Sequence, residues 1–584
     1  MVLLASSVLV LSLLGAYGDA SPLASRSPKS EVCTPTAVRY IGATANKVES
    51  FLNIRFGEDT SGANRFAPPK PYTYAVGTVV DASRGGAACP QPKQAVASMP
   101  LFDNVTKMSE DCLTLRIDRP VNTSASAKLP VLVWIYGGGD SFGQIYDSAY
   151  DPTGLVLGAA EKDFPVIYVA MNYRVGVFGF AASPALNATD SLNVGLLDQR
   201  LAIEWVRDHI AAFGGDPDNV TIFGESDGAT GVGLQITAYG GKGGDAPFRR
   251  AIMQSGSPMA DPGTASNKSA EHTSQLTKIT NCTASTPEAE LKCLRNIPMK
   301  TLNSLAVEYE RQVGGEDGMD VFIPISPSTF IPDSPSKLVA TGQFSRNIDI
   351  ISGWNEDDGS FSIPTTIATD KDLALFVKYE YALFSTEDIE RVLALYPASA
   401  FSSRVASLPA VNKNNITEHY FRASQIKRDA EFSCASLYLA QMNHKYSTYE
   451  TRNYLFALNQ TLFRDMYAAV NMSYLGVSHF SDIPYVFNQA QGYGEYASAK
   501  DLALSAEVSG SWAAFAALGQ PSHGPGTVPG WESAFENGNY QLQVIGGSYN
   551  GTRITGPSQR GGYEDLAAKC AFWTSEDILA KLQV

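Results

Sequence analysis

The fold is decided by one stretch of sequence, Asn219-Val-Thr-Ile-Phe-Gly-Glu-Ser226-Asp-Gly228-Ala-Thr-Gly-Val-Gly233. Its apolar and β-branched beginning predicts a strand, and the small residues after Gly228 predict a closely packed helix start. Between the two, Ser226 is the centre of a Gly-x-Ser-x-Gly motif. Glycines two residues either side of a serine leave room for a sharp, strained turn from strand to helix. The order of strand, turn and helix therefore predicts an exposed nucleophilic serine at position 226.

The same five-residue motif occurs a second time, at residues 139–143. That copy follows an apolar predicted strand, 129–136, and a glycine triplet, and it is not followed by a run of small residues. This setting is typical of a loop whose backbone amides stabilise a developing negative oxygen. We therefore assign the chemistry to Ser226, with the amides of Gly138 and Gly139 as oxyanion donors.

Predicted strands alternate with predicted helices along the chain, which indicates a mostly parallel sheet covered by helices. With a serine at a strand-to-helix turn, this pattern is typical of the α/β-hydrolase fold. No Pro- or Ser-rich linker and no repeat divides the chain, so we expect one large domain over residues 21–584. The clearest strands are 129–136, 165–172, 219–224, 250–254 and 348–353, and the clearest helices are 195–213, 371–381, 386–395 and 427–443.

A serine needs a histidine to accept its proton, and the chain contains six histidines. His479 lies in a loop before an aromatic, predominantly apolar segment, late enough in the chain to complete a catalytic triad. The others are on a predicted helix, in polar stretches, beside a glycosylation motif or in a Pro/Gly-rich turn: His209, His272, His444, His419 and His523. We therefore predict that His479 is the base.

The acid of a triad lies between serine and histidine in the chain order of α/β-hydrolases. Here the predicted strand 348–353 leads into three consecutive acids, Glu356, Asp357 and Asp358. Chemistry alone leaves all three open, since each could reach a histidine in some loop conformation. An acidic surface turn is the alternative interpretation of this segment.

Composition limits the class of function. Hydrophobic residues make up 44% and charged residues 18% of the 584 residues, which is typical of a globular protein with a large core. The net charge of −15 opposes binding to nucleic acid or to anionic membranes. Residues 1–20 are apolar and end in small residues, which predicts a signal peptide, and no other stretch indicates stable membrane insertion.

Two further features favour a secreted, extracellular protein. Seven cysteines are typical of an oxidising compartment, in which thiols usually form disulfides. Asn-x-Ser/Thr glycosylation motifs are also frequent, although Asn219 opens a predicted buried strand. The ten motifs begin at Asn104, Asn122, Asn187, Asn219, Asn267, Asn281, Asn415, Asn459, Asn471 and Asn550.

Ordered motifs over nearly the whole mature chain resemble those of the type B carboxylesterase family, the cholinesterase and fungal lipase group. The resemblance implies an α/β-hydrolase that cleaves carboxylic esters without a metal or cofactor. The motifs that carry it are Arg65-Phe-Ala-Pro-Pro69, Ser109-Glu-Asp-Cys-Leu113, the triplet 137–139, Asn193-Val-Gly-Leu-Leu-Asp-Gln-Arg200, Phe213-Gly-Gly-Asp-Pro217, the Ser226 motif, Gln254-Ser-Gly-Ser257, Trp512-x-x-Phe515 and Cys570-Ala-Phe-Trp573.

The resemblance also implies roles for individual residues. The family's acid precedes a Gly-Ser or Gly-Thr pair, which selects Asp358, although most relatives carry Glu there. Ser255 resembles a serine that supports this acid, and the amide of Asp227 becomes a third oxyanion donor. The implied disulfides are Cys89 with Cys112, Cys282 with Cys293 and Cys434 with Cys570, which leaves Cys33 unpaired.

Two positions depart from the family pattern. The residue after the nucleophile is usually Ala and is Asp227 here, and the residue after the glycine triplet is usually aromatic and is Asp140. A carboxylate near an oxyanion hole opposes the charge that the hole must stabilise. We expect either that both side chains point away or that they favour a cationic substrate or acidic working conditions.

These observations predict hydrolysis of a small-molecule or lipid ester through an acyl-enzyme at Ser226. Two alternative functions remain. One is a catalytically silent binding protein. The other is acyl transfer to an alcohol or amine instead of water, which uses the same residues.

Overall fold

The computed structural model describes residues 29–94, 101–315, 317–413, 415–448, 450–535, 540–548, 550–555 and 563–584. The predicted signal peptide, residues 1–20, lies outside these ranges. No helix of the described ranges is long and apolar enough to cross a membrane.

Thirteen described strands form one sheet. They are β1 Lys29–Cys33, β2 Arg39–Ala45, β3 Val48–Arg55, β4 Val79–Asp81, β5 Thr114–Pro120, β6 Leu129–Ile135, β7 Ile167–Met171, β8 Gly215–Glu225, β9 Arg250–Gln254, β10 Asp349–Asn355, β11 Asn453–Leu458, β12 Gln541–Ile545 and β13 Gly551–Ile554.

Nineteen described α-helices surround the sheet. They are α1 Thr153–Glu161, α2 Gly176–Phe180, α3 Pro184–Asn187, α4 Val194–His209, α5 Asp227–Thr237, α6 Lys268–Ile279, α7 Pro287–Asn296, α8 Met299–Val313, α9 Pro335–Ala340, α10 Asp370–Glu380, α11 Thr386–Leu395, α12 Ser402–Ser407, α13 Glu418–Lys427, α14 Cys434–Tyr446, α15 Arg464–Ala469, α16 Ile483–Val486, α17 Ala499–Leu518, α18 Leu566–Trp573 and α19 Glu576–Leu582.

The middle of the sheet is parallel, and its two margins are antiparallel except for the parallel β2–β4 pair. The strand order is β1-β2-β3-β5-β7-β6-β8-β9-β10-β11-β12-β13, with β4 beside β2. Every neighbouring pair from β7 to β12 is parallel. The pairs β1–β2, β2–β3, β3–β5, β5–β7 and β12–β13 are antiparallel. The prediction of a large, mostly parallel sheet in an α/β fold is confirmed.

The central strands are buried on both faces, which explains their almost continuous apolar sequences. Strands β7, β9 and β11 are buried at every position, and β6 is buried from Val131 onward. Helices α1 and α17 pack together, and α4 packs with α5 and β8. The carboxyl ends of β8, β9 and β10 therefore meet at one edge of a rigid sheet, and loops there are held close together.

Two predicted helices differ locally from the structure. The segment predicted as 195–213 is α-helical to His209 and continues as a 3₁₀ turn, Ile210–Phe213. The segment predicted as 427–443 begins with a π-helical turn, Arg428–Ser433, before α14. A π turn inserts one extra residue per turn, and periodicity over a short window does not reveal it.

Three disulfides join the cysteines that the family resemblance pairs. They are Cys89–Cys112, Cys282–Cys293 and Cys434–Cys570, and Cys33 is an exposed free thiol.

Candidate active site

Ser226 lies in the turn between β8 and α5, in the strained geometry that its motif predicts. Its φ is 59° and its ψ is −132°, outside the conformations that a serine ordinarily adopts. A Cβ atom on Gly228 would lie 2.1 Å from the carbonyl oxygen of Ile135. Only glycine fits there, because the start of α5 packs directly against the end of β6.

The structure brings Ser226, His479 and Asp358 into one chain of hydrogen bonds. The Nε2 atom of His479 lies 2.8 Å from the Ser226 Oγ, and its Nδ1 lies 2.8 Å from the Asp358 Oδ1. Ser226 and His479 are partly exposed, whereas Asp358 is 3% exposed. This arrangement can withdraw the serine proton and hold the resulting imidazolium beside a buried carboxylate.

Asp357 and Glu356, the two acids that precede Asp358 in the sequence, have different contacts. Asp357 forms an ion pair with Arg404 and accepts the backbone N–H of Val477 at 3.0 Å. Burial and the negative charge of Asp357 raise the pKa of Glu356 to about 7. Only Asp358 of the three acids has a hydrogen bond with His479, a distinction that chemistry alone left open.

The carboxylate of Asp358 is held by donors from two other segments. Its Oδ2 accepts a hydrogen bond from the Ser255 Oγ at 2.8 Å and from the Asn355 backbone N–H at 2.7 Å. Ser255 follows β9 and Asn355 ends β10, so the parallel pair of strands delivers both donors. The ring of His479 stacks on Phe432, with 5.3 Å between ring centroids. These contacts orient the acid and the base.

Negative charge around His479 favours its protonated form. Burial lowers the pKa of His479, but the charges of Glu225, Asp358 and Asp482 outweigh burial and raise that pKa to about 10. The Glu225 Oε1 lies 3.3 Å from the His479 Nε2. A base must be neutral to accept a proton, so this field works against catalysis at neutral pH.

The candidate oxyanion loop is fixed by its neighbours. The Gly139 carbonyl accepts the backbone N–H of Asp320 at 3.0 Å, and a Cβ on Gly139 would lie 2.4 Å from the Met319 Cβ. The Ser141 Oγ donates to the carbonyls of Gly139 and Gly318, at 2.9 and 3.0 Å. Ser141, the serine of the second motif copy, therefore makes hydrogen bonds with its own loop and with the segment at Gly318, and none with His479.

The Asp227 side chain does not point away from this loop, contrary to one of the two sequence-based expectations. Its Oδ2 accepts the backbone N–H of Gly139, and the Ser226 Oγ lies 3.4 Å from the same oxygen. Burial and the charge of Asp320 raise the pKa of Asp227 to about 6, while the Gly139 amide and His479 lower it. The Gly139 N–H, one of the predicted oxyanion donors, is therefore hydrogen-bonded to a carboxylate oxygen of the protein.

Two further carboxylates lie beside Asp227. Oxygens of Asp140, Asp227 and Asp261 lie within 4.8 Å of one another, and this trio is termed the acidic cluster below. Burial and the charges of its neighbours hold the pKa of Asp140 and of Asp261 well above the ordinary value. Carboxylate oxygens are the donors that hard divalent cations prefer, so these residues are the ones that could hold such an ion.

The described residues thus combine a strand-to-helix turn, a hydrogen-bonded Ser–His–Asp chain and a glycine loop beside the serine. The sequence model of the carboxylesterase family matches residues 38–557. The chain belongs to the carboxylesterase family. Its sheet, helices and site geometry are accordingly those of an α/β-hydrolase, as predicted.

Among the curated relatives of this chain, some are named lipases and one is named an inactive carboxylesterase-like protein. A secreted lipase of Arthroderma benhamiae is 35% identical over 588 residues, covering 98% of each chain. An inactive carboxylesterase-like protein of Byssochlamys spectabilis is 40% identical over 508 residues, covering 86% of each chain. Lipase 1 of Geotrichum candidum is 35% identical over 387 residues, covering 61% of this chain and 68% of its own.

Sequence reasoning did not find several residues of the site. Asn355 contributes a backbone amide, which any residue type supplies, and Asp261 reaches the acidic cluster from a distant loop. Glu225 was visible inside the Ser226 motif, and its place next to the nucleophile was the available signal. The five other histidines contact residues outside the triad. The pairs are His209 with Trp205, His272 with Tyr309, His419 with Arg422, His444 with Phe535 and His523 with Phe164.

Proposed function

We propose that this chain is a secreted serine hydrolase that cleaves carboxylic esters through an acyl-enzyme intermediate. The observation that carries the proposal is the pair of 2.8 Å contacts linking Asp358, His479 and Ser226. Additional support comes from relatives that are named lipases. The substrate is a small-molecule or lipid ester, and residues 21–584 form the mature domain.

The residues of the site have defined roles in the proposed reaction. The Nε2 of His479 accepts the proton of Ser226 as the Oγ attacks the ester carbonyl carbon. The amides of Gly138, Gly139 and Asp227 donate hydrogen bonds to the resulting oxyanion. His479 then protonates the departing alcohol, and a water activated by His479 releases the acid. Asp358 stabilises the imidazolium, and Ser255 positions Asp358.

Secretion is supported by the surface of the chain and by its cysteines. Eight of the ten glycosylation motifs begin at an exposed asparagine, and three disulfides are present. Asn219 and Asn459 are only partly exposed, and Asn219 accepts a hydrogen bond from Arg250. N-terminal sequencing of secreted protein should begin near Ser21, and a glycosidase should increase its gel mobility. Retention of residues 1–20 would contradict this part of the proposal.

The function is tested with p-nitrophenyl esters of increasing chain length. Wild type should hydrolyse at least one ester, and Ser226→Ala should lower kcat/KM by about 10⁴-fold or more. Ser141→Ala is the matched control because it removes the serine of the second motif copy. Activity that survives Ser226→Ala but not Ser141→Ala would overturn the assignment of the nucleophile.

A second candidate function is a binding protein without hydrolytic activity. It is favoured by the Asp227 carboxylate on the Gly139 amide, and one relative is named inactive. In that case no ester would be hydrolysed by wild type, while a non-hydrolysable ester analogue would still raise the melting temperature. Acyl transfer would instead require that an added alcohol, and not water, receives the acyl group.

A further inference from the structure

The oxyanion hole proposed above has three backbone donors, the amides of Gly138, Gly139 and Asp227. The Asp227 Oδ2 already accepts the Gly139 N–H. The pKa of the Asp227 carboxyl is raised by burial and is lowered by hydrogen bonds from the backbone of Gly139 and of Asp227 itself. One of the three donors, the Gly139 N–H, is therefore hydrogen-bonded to a carboxylate of the protein before any substrate arrives.

We propose that the Asp227 side chain is an internal occupant of the oxyanion hole, which an ester must displace before Ser226 can be acylated. The inference rests on the proposed ester hydrolysis at Ser226. Asp227 is thereby a residue that sets which substrates react and how fast, in addition to its backbone role. An oxyanion hole stabilises a transition state only when its donors are free to meet the developing charge.

Two interactions stabilise the position of the Asp227 carboxylate. Asp227 is the first residue of the eleven-residue helix α5, whose N-terminus favours a negative charge. The Gly139 N–H gives it a charge-assisted hydrogen bond. Oxygens of Asp140 and Asp261 lie within 4.8 Å of an oxygen of Asp227. The helix N-terminus and the Gly139 amide hold the Asp227 carboxylate toward the hole.

The charges of the resting site also resemble those of the acylation transition state. That state combines a negative oxygen in the hole with a protonated histidine beside the serine. Here a negative Asp227 oxygen lies on the Gly139 amide, and the acidic surroundings of His479 favour its protonated form. A neutral ester replaces a charged occupant with an uncharged carbonyl, so its entry into the hole is unfavourable.

The direct test of the proposal is to remove the Asp227 carboxyl group from the oxyanion hole. Asp227→Ala should raise kcat/KM for p-nitrophenyl butyrate by on the order of 10²-fold, the effect expected of one oxyanion donor. Asp227→Asn should give a smaller gain, because its amide oxygen still accepts the Gly139 N–H without the charge. Asp261→Ala is the matched control, since it removes one carboxyl group of the acidic cluster without emptying the hole, and it should change kcat/KM less than tenfold.

Inhibition by a boronic acid is a second measurement, which does not require the enzyme to turn over an ester rapidly. Phenylboronic acid places a negatively charged oxygen in an oxyanion hole when it adds to the nucleophile, and it should inhibit Asp227→Ala at lower concentration than wild type. Circular dichroism and melting temperature show whether each variant is folded. Equal gains in Asp227→Ala and Asp261→Ala, or no gain in rate or boronate affinity in either Asp227 variant, would overturn the proposal.

The two proposals fail in different ways. If Asp227→Ala hydrolyses the ester and adding Ser226→Ala leaves that rate unchanged, hydrolysis at Ser226 is wrong and the inference fails with it. If hydrolysis depends on Ser226 but is equally fast in wild type and in the Asp227→Ala variant, only the inference about the hole is wrong.

Discussion

Asp358 and Asp140 are both almost completely buried aspartates of the same site, yet their surroundings are opposite. Asp358 is 3% exposed, and its two oxygens interact with His479, Ser255 and the Asn355 amide. Asp140 is 4% exposed, and its Oδ2 has no hydrogen-bond partner among the described residues. A buried carboxylate is tolerated at little cost in stability only where donors surround it.

The difference in hydrogen bonding distinguishes Asp358, which the family pattern includes, from Asp140 and Asp227, where this chain departs from the family pattern. The family pattern supplies both Asp358 and the donors that satisfy it, because β9 and β10 deliver Ser255 and Asn355 side by side. Asp140 and Asp227 stand where the family usually has an aromatic residue and Ala. For Asp227 the donors to its carboxylate are the Gly139 amide of the oxyanion hole and the hydroxyl of Ser226.

The largest effect on ester hydrolysis is expected from a change at Asp358, whose carboxylate is fully hydrogen-bonded. Asp358→Asn keeps the size of the side chain but removes the charge that stabilises the His479 imidazolium, and kcat/KM should fall by about 10⁴-fold. The measurement is ester hydrolysis by the folded variant. Asp261→Asn makes the same chemical change in the acidic cluster, and a fall of similar size there would remove the distinction between the two regions.

A smaller effect is expected from Glu225, whose charge raises the pKa of His479. Because His479 must be neutral to act as a base, kcat/KM of wild type should rise with pH toward the pKa of about 10. Burial raises the pKa of Glu225 well above its ordinary value, and its ionised form favours protonated His479. Glu225→Gln removes this ionisable carboxyl group 3.3 Å from the Nε2, so the acid limb should move to lower pH by about one unit. Hydrolysis near neutral pH should then increase. A pH profile that does not move would show that Glu225 does not control the base.

The smallest effect concerns stability. The folded-state pKa of Asp140 lies well above its unfolded value, because burial and the neighbouring carboxylates oppose its charge. Stability from this group is therefore complete at acidic pH and declines as pH rises toward the folded-state pKa. Asp140→Asn should remove part of that decline and stabilise the protein at pH 7 by about 1 kcal/mol.

The comparison is made by denaturant unfolding of both proteins at pH 4 and pH 7. Asn also tolerates the φ of 51° at position 140, so backbone strain does not mask the result. Equal stability differences at the two pH values would contradict a folded-state pKa of Asp140 that lies above its unfolded value.

Much of the fold could be predicted from local sequence. The strand predicted at 250–254 and the helix predicted at 386–395 match β9 and α11 to the residue. Buried parallel strands have almost continuous apolar sequences, which makes them conspicuous in a sequence. The π-helical turn before α14 was missed because one inserted residue barely alters the hydrophobic pattern.

The site divides in the same way. Ser226 and His479 could be predicted because a motif and the chain order restrict them. Asp358 could not be separated from Asp357 by chemistry, and the Arg404 ion pair that distinguishes Asp357 depends on tertiary packing. The direction of the Asp227 side chain is equally a tertiary property, since it depends on a loop 88 residues earlier in the chain.

The most direct test identifies the acylated residue. Wild type and Asp227→Ala are mixed with p-nitrophenyl butyrate, quenched in acid within milliseconds, digested and examined by mass spectrometry. We predict a butyryl group on Ser226, formed faster in Asp227→Ala than in wild type. Release of p-nitrophenol with the acyl group on Ser141, or on no residue of the protein, would contradict the account.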